Sequence, residues 1–347
     1  PTPDAGNREA LGYGRPVAAS LRPVDRRRGL GVALVLVSAC GFGSGALFAK
    51  PVYAAGVDWH VLSAWRFLFG ASLAWLWLLA SPARRAGLRR LDRRVVAVSL
   101  GLGVLYVGNS GTYYAGLESV DASLAALIVY IYPALVAVLS LRIGRRLEGR
   151  RAWISLALAL AGVALTVGGI DTAKAPPLVP LLLVVASPVI YAIWIVLAAR
   201  LSGERRSAAR RSDHEAPGAA ASAATALMMT ATAAVYWVTA VVAGKAVAPV
   251  AVPAQAWPGM AGIGIVSTFL AIQGFYAGAQ RIGAAQAALL STIEPIWTIS
   301  LAAILLGESL GPVQLAGGAL IIVGVVVAQT GRGALRTPRP VVRLADE

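Results

Sequence analysis

Few side chains in this sequence can do chemistry in an apolar setting, and one of them sits beside a helix breaker. Glu294 and Pro295 lie near the middle of 284–306, an apolar run long enough to cross a bilayer. An ionised carboxylate at that depth costs roughly 2.5–3.5 kcal/mol even on insertion scales, so it ordinarily has a partner or a task. Glu294 can bind a cation or an amino group, or carry a proton. It can equally be a structural carboxylate held by a basic residue. Arg66, the only arginine well inside an apolar run, is the candidate partner, and a structural ion pair is the role it is expected to fill.

Other polar groups in apolar runs include Asn109 and Tyr113, Tyr130 and Tyr132 around Pro133, Tyr191 and Trp194, Gln273, and Ser291. Polar side chains in a membrane helix turn away from lipid, so these residues and Glu294 are expected to line an interior cavity that takes a substrate. Aromatic rings with polar ends suit an amphipathic organic solute. Packing or interface anchoring fits Trp194 and Tyr114 equally well. Lys50, at the end of its run, is read as snorkelling toward the interface.

The same inventory argues against catalysis. No His or Asp lies well inside an apolar run, so no nucleophile–base pair is available, and Cys40, the single cysteine, has no partner there. His60 and His214 are far apart and neither stands in a metal-binding motif. No phosphate-cradling motif appears, so ATP drive within this chain is not expected, and no cofactor, metal or catalytic residue is assigned.

The elements that must position these groups are helices in a membrane. The 347 residues are 58% hydrophobic and 14% charged, and the apolar residues fall into runs of bilayer length. Ten runs can be marked: 30–49, 61–79, 95–115, 122–141, 153–167, 178–197, 219–242, 257–279, 284–306 and 313–328. The first is too long for the apolar core of a signal peptide and is read as a retained helix. The net charge is +15, nearly all from arginine. The arginines cluster after the second, fourth and sixth runs (Arg84 to Arg94, Arg142 to Arg151, Arg200 to Arg211) and in both tails. The intervening loops hold almost none. That alternation predicts ten spans in the cytoplasmic membrane with both termini cytoplasmic, and it argues against nucleic acid as a partner.

The chain also repeats. At an offset of about 162 residues, Tyr114-Ala115-Gly116 falls on Tyr276-Ala277-Gly278, Ala125-Ala126-Leu127 on Ala287-Ala288-Leu289, and Pro133 on Pro295, with roughly 16 identities over about 56 positions. Two units of five spans must face opposite ways, because five is odd. The expected fold is therefore all-α and polytopic, with ten transmembrane helices as two inverted five-helix repeats, 29–169 and 177–331. Outside them lie a tail at 1–28, a flexible charged loop at 202–218 and a tail at 332–347. Each proline deprives the carbonyl four residues back, at Val129 and Ser291, of its helical donor, so Pro133 and Pro295 are expected to kink their helices beside the site.

Paired prolines in the fourth helix of each unit, Trp65-Arg66-Phe67 in the second helix, Glu294-Pro295, Leu306-Gly307-Glu308 and Gly317…Gly324 together resemble the EamA family of the drug/metabolite transporter superfamily. The resemblance covers about 29–331. It implies a central cavity lined mainly by the third, fourth, eighth and ninth helices with parts of the first and sixth, and metabolite export or exchange. The first unit has Arg145-Arg146 where the family often has a Gly-Glu pair like Gly307-Glu308. The expected protein is a secondary transporter, with an amino acid or related compound as the favoured small-molecule substrate, and monomeric or homodimeric in the lipid bilayer. A cationic drug or quaternary-ammonium efflux protein is the alternative; a membrane sensor or intramembrane enzyme is more distant.

Overall fold

A computed structural model describes residues 26–89, 91–141, 149–169, 175–201 and 219–329. The expectations for 202–218, for Arg145 and Arg146 and for most of both tails lie outside the described residues. Those described are helical, without a β-strand among them. Among the described residues, seven helices are long and apolar enough to cross a membrane. Three shorter apolar helices, Ala122–Val136, Trp153–Gly168 and Pro312–Val327, occupy the fourth, fifth and tenth apolar runs. Large apolar side chains such as Leu76, Leu105, Leu182, Val238 and Ile304 remain exposed, as they do when hydrocarbon is the solvent.

In chain order the helices are α1 (Arg26–Gly43), α2 (Gly45–Ala54), α3 (Trp59–Leu79), α4 (Pro82–Arg89), α5 (Arg93–Leu117), α6 (Ala122–Val129), α7 (Tyr132–Leu141), α8 (Gly149–Gly168), α9 (Leu178–Leu201) and α10 (Ala219–Val242). Then follow α11 (Trp257–Gly262), a π-helical stretch (Ile263–Leu270), α12 (Ala271–Ile282), α13 (Ala284–Leu290), α14 (Ile293–Leu306) and α15 (Pro312–Gln329). The short helix α4 differs from the expected loop. Its three arginines, Arg84, Arg85 and Arg89, leave no residue buried, and the Arg84 guanidinium lies 4.0 Å from the centre of the Trp77 ring.

The packing comes in matched pairs. Helix α1 lies along α12 as α5 lies along α9, and α3 meets the π-helical stretch as α5 meets α10. The most extensive contact joins α8 to α15, and it depends on missing side chains. A Cβ on Gly162 would come within 2.6 Å of the Gly317 carbonyl, and one on Gly317 within 2.5 Å of the Gly162 carbonyl. The backbones therefore touch directly, in the small-residue manner of membrane helices, and Ser155 Oγ donates to the Gly324 carbonyl at 2.7 Å. Gly278 does the same on α12, where a Cβ would meet the Gly31 carbonyl at 2.8 Å.

Both proline-bearing helices break. A two-residue turn at Tyr130 and Ile131 separates α6 from α7, and one at Ser291 and Thr292 separates α13 from α14. The first turn packs against the second unit: Tyr130 is 2% exposed and its hydroxyl donates to the Ser291 carbonyl at 2.6 Å. The carbonyl expected to be stripped by Pro295 thus receives a donor from the other broken helix.

The two ends of the bundle differ. At the end carrying Asp58, Asp121 and Glu308, the elements are tied together. Glu308 accepts from the Ala122 and Ser123 N–H groups at 2.9 and 2.8 Å, capping α6 from the other half of the chain. Gly307, at φ +68°, closes α14 with a left-handed residue and turns Glu308 toward that cap. Lys50 Nζ donates to the Val120 carbonyl at 2.6 Å, so it bridges two segments where snorkelling was expected. Asp58 caps α3 through the His60 and Val61 N–H groups and accepts from Lys245 Nζ at 2.6 Å. Burial pushes the Asp58 carboxyl up, but the Lys245 and Val61 hydrogen bonds outweigh it and hold the group below the ordinary aspartate value. At the opposite end, where α4 lies, the described residues of α7 and α9 make at most marginal contact with those of α12 and α13.

Candidate functional site

A cavity of about 290 Å³ opens among these helices. That is near the lower end of the range for small-molecule sites, roughly 300–1,000 Å³. Of the nine residues expected to contact a substrate, seven lie on its wall: Glu294, Tyr132, Asn109, Tyr113, Tyr191, Trp194 and Ser291. Two do not. Tyr130 is taken up in the contact between the two helix breaks, its hydroxyl spent on Ser291. Gln273 sits half-buried on α12, outside the lining, one residue past Ile272, which is in it. A step of one residue rotates a helical side chain by 100°, enough to take it off the wall.

Helix breaking positions the acidic wall. The turn at Ser291 and Thr292 restarts α14 at Ile293, so Glu294 stands in a first helical turn. Its backbone N–H donates to the Ser291 carbonyl at 3.0 Å and its carbonyl accepts from Thr298 Oγ1 at 3.0 Å. Thr298 also donates to the Gly43 carbonyl, tying this turn to α1. The carboxylate has no hydrogen-bond or ion-pair partner among the described residues and faces the cavity. Pro295 is buried behind it, and Pro133 is half-buried beside Tyr132.

Arg66 lines the same cavity. Asp58 pairs with Lys245 among the described residues, but no such pair joins Arg66 to Glu294. Instead, Arg66 Nε donates to Thr268 Oγ1 at 2.8 Å, and the guanidinium lies 4.5 Å from the Tyr114 ring centre and 4.8 Å from that of Phe67. Only 7% of the residue is exposed, and its Nη1 is buried without an acceptor. The π-helical stretch aims Thr268 at Arg66: Thr268 Oγ1 donates to the Ile263 carbonyl, five residues back, at 2.9 Å. Such wide turns are frequent at functional sites, because they redirect side chains within an otherwise regular helix.

The remaining wall is aromatic and small-polar. Tyr191 stacks on Trp194 with ring centres 5.9 Å apart and meets Tyr132 at 4.7 Å. Trp194 Nε1 is satisfied by the Leu102 carbonyl, and Asn109 Oδ1 accepts from Ser187 Oγ at 2.9 Å. Sequence reasoning did not assign Ser187, Ser267, Thr268, Met228 or Phe275 to the site, though all line it. The adjacent Ser267 and Thr268, alone as a polar pair in 257–279, were a usable signal. Nothing in the sequence distinguished Phe275 or Met228 from lipid-facing residues. No cluster of His, Cys, Asp or Glu able to hold a metal occurs among the described residues.

Comparison with known proteins gives the class first. The model of the EamA-like transporter family matches the chain twice, at residues 29–168 and 178–330, and the chain belongs to that family. It is 26% identical over 299 residues to an uncharacterized transporter of Archaeoglobus fulgidus, covering 86% of this chain and 96% of the relative. It is 24% identical over 295 residues to the uncharacterized transporter YcbK of Bacillus subtilis, covering 84% and 90%. A solved protein structure aligns over 87% of this chain and 96% of its own with a TM-score of 0.56; at 20% identity that likeness speaks for the fold alone. The protein is thus a multi-pass membrane protein of a transporter family.

Proposed function

We propose that this protein is a secondary transporter of the cytoplasmic membrane that exports or exchanges a small organic metabolite, with amino acids and related compounds favoured. In this reading the ten apolar helices all cross the bilayer, in two inverted units of five, and both termini are cytoplasmic. The double family match and the paired helix contacts support the two units, and the arginine-rich end at α4 supports the orientation.

One observation carries the functional reading: an amphipathic cavity, with Glu294 and Arg66 on its walls, lies between the two units, and among the described residues the Glu308 cap ties its far end shut. Alternating access follows as exchange of that closure for an equivalent one at the arginine-rich end. The state described is then open toward the cytoplasm. A solute entering there meets aromatic faces and a carboxylate. Closure around it breaks the Glu308 cap and opens the other side. No ATP-binding element occurs in the sequence, so a proton or exchange gradient drives the cycle.

A cation-efflux protein would also use Glu294 and the aromatic faces. The Arg66 guanidinium on the same wall counts against an exclusively cationic solute. The test is counterflow of labelled metabolites in proteoliposomes, with Glu294→Gln beside the natural protein. Exchange that falls and loses its pH dependence in the variant supports the reading. Unchanged rate and pH dependence make the carboxylate structural and defeat it.

A further inference from the structure

The least explained group in the molecule is the Arg66 guanidinium. It is 93% buried by its 7% exposure, yet Thr268 takes only one of its five N–H donors and Nη1 has no acceptor. The faces of Tyr114 and Phe67 hold its position without using its donors. Ser267 Oγ, 2% exposed and on the same cavity wall, is also unpartnered. Among the described residues the other buried side-chain atoms without a partner are His60 Nδ1, 3.8 Å from Asp58 and off the cavity wall, and the Ser63 and Ser110 hydroxyls, which have the Tyr236 hydroxyl beside them. Buried donors are normally satisfied, and a guanidinium forks most readily onto a carboxylate or phosphate. Glu294 is the opposite case in the same cavity: a carboxylate facing open space with no donor.

Two opposite charges that share a small cavity without pairing define what would satisfy both. We propose that Arg66, assisted by Ser267, is the receptor for the carboxylate of the transported solute, and that Glu294 receives its ammonium group, so that the cavity selects zwitterions carrying an apolar side chain. This rests on the transporter reading above and assigns its substrate class and two specificity residues. A simple cation would leave Arg66 unanswered, and a simple anion would leave Glu294 so. Phosphate esters fit Arg66 but bring a second negative charge toward Glu294. The aromatic wall of Tyr132, Tyr191 and Trp194 is left for the side chain.

The test uses matched probes and equilibrium binding to the purified full chain by titration calorimetry. One set is L-phenylalanine, phenethylamine and 3-phenylpropionate; the other is L-leucine, isoamylamine and 4-methylpentanoate. Each set holds the side chain fixed and removes one charged group at a time. Hydrogen bonds to charged groups predict that the natural protein binds one zwitterion roughly ten- to a hundredfold tighter than either half. Arg66→Gln should erase the advantage of the zwitterion over the amine while keeping its advantage over the acid. Glu294→Gln should do the reverse, and Arg66→Lys should restore part of the loss. Equal affinity for zwitterion and amine in the natural protein, an unchanged ratio in Arg66→Gln, or no binding of either zwitterion overturns the proposal. Counterflow of any other solute under the same conditions would still leave the transporter reading standing, so the two failures are separable. If Arg66→Gln does not yield folded protein, the zwitterion-to-amine ratio in Arg66→Lys and Ser267→Ala decides the matter.

Discussion

Replacing Glu308 by alanine should open the far end of the cavity. Its two oxygens accept from Ala122 and Ser123 at 2.9 and 2.8 Å, both in the first turn of α6. Hydrogen bonds to a charged acceptor contribute about 1.5–3 kcal/mol each in protected sites. The residue is half-buried, and water can replace part of what is lost, so about 2 kcal/mol for the pair is a fair expectation. If closure at this end competes with closure at the other, that change moves the equilibrium about thirtyfold. Lys50, bonded to the neighbouring Val120 carbonyl, adds to the same closure and should show a smaller effect on substitution. The assay is cysteine accessibility. With Cys40 replaced by alanine, a cysteine is placed at Tyr132 on the cavity wall and labelled in intact cells by an impermeant maleimide. Glu308→Ala should raise the labelling rate by roughly thirtyfold, and Glu308→Gln by less, since one amide oxygen remains. An unchanged rate in both would mean that the Glu308 cap does not gate the cavity, and alternating access through that end would fail.

Three further outcomes follow from the structure. Tyr130→Phe should lower stability by about 0.5–1.5 kcal/mol, because the hydrogen bond between the two helix breaks is lost while the Ser291 carbonyl keeps the Glu294 N–H, and ligand affinity stays unchanged; thermal melts with and without ligand separate the two. Gly317→Val should cost about 1–3 kcal/mol or more through overpacking against the Gly162 carbonyl, seen as a lower melting temperature, whereas the same change at Gly168, where a Cβ meets nothing within 4 Å, should be mild. Asp58→Asn keeps a capping side chain for α3 and loses the Lys245 ion pair. The folded Asp58 carboxyl titrates below the ordinary aspartate value, so its contribution is present above about pH 4 and is lost as pH falls through the lowered folded value. The melting-temperature gap between natural protein and variant should therefore be steady near neutrality and close in acid.

Most of the architecture could be read from simple signals. Runs of bilayer length mark helices because hydrocarbon admits little else, whereas the arginine cluster after the second run, expected as a loop, forms α4. The repeat located the second proline from the first, and both helices break beside those prolines. The cavity wall was legible where polarity alone decides it, as at Glu294, Asn109 and Tyr132. It was not legible where rotation decides it. Gln273 and Ile272 are neighbours, and no pattern told which one faces inward. Tyr130 and Tyr132 looked equivalent until the turn at 130–131 sent one into the contact between the halves and the other to the cavity. Arg66 looked like a partner for Glu294 because charge was counted without distance; Thr268 and the Tyr114 ring hold it elsewhere. Glu308, read as a loop residue, turns out to cap a helix 185 residues away, a contact no local signal encodes.

The most direct test of the central claim is substrate protection at Tyr132→Cys in proteoliposomes, in the Cys40→Ala background. A bulky thiol reagent applied to the arginine-rich face should abolish counterflow, and saturating solute should slow the modification in proportion to occupancy of the cavity. Counterflow that survives full modification, or modification that solute does not slow, would place the transport path outside this cavity and contradict the account.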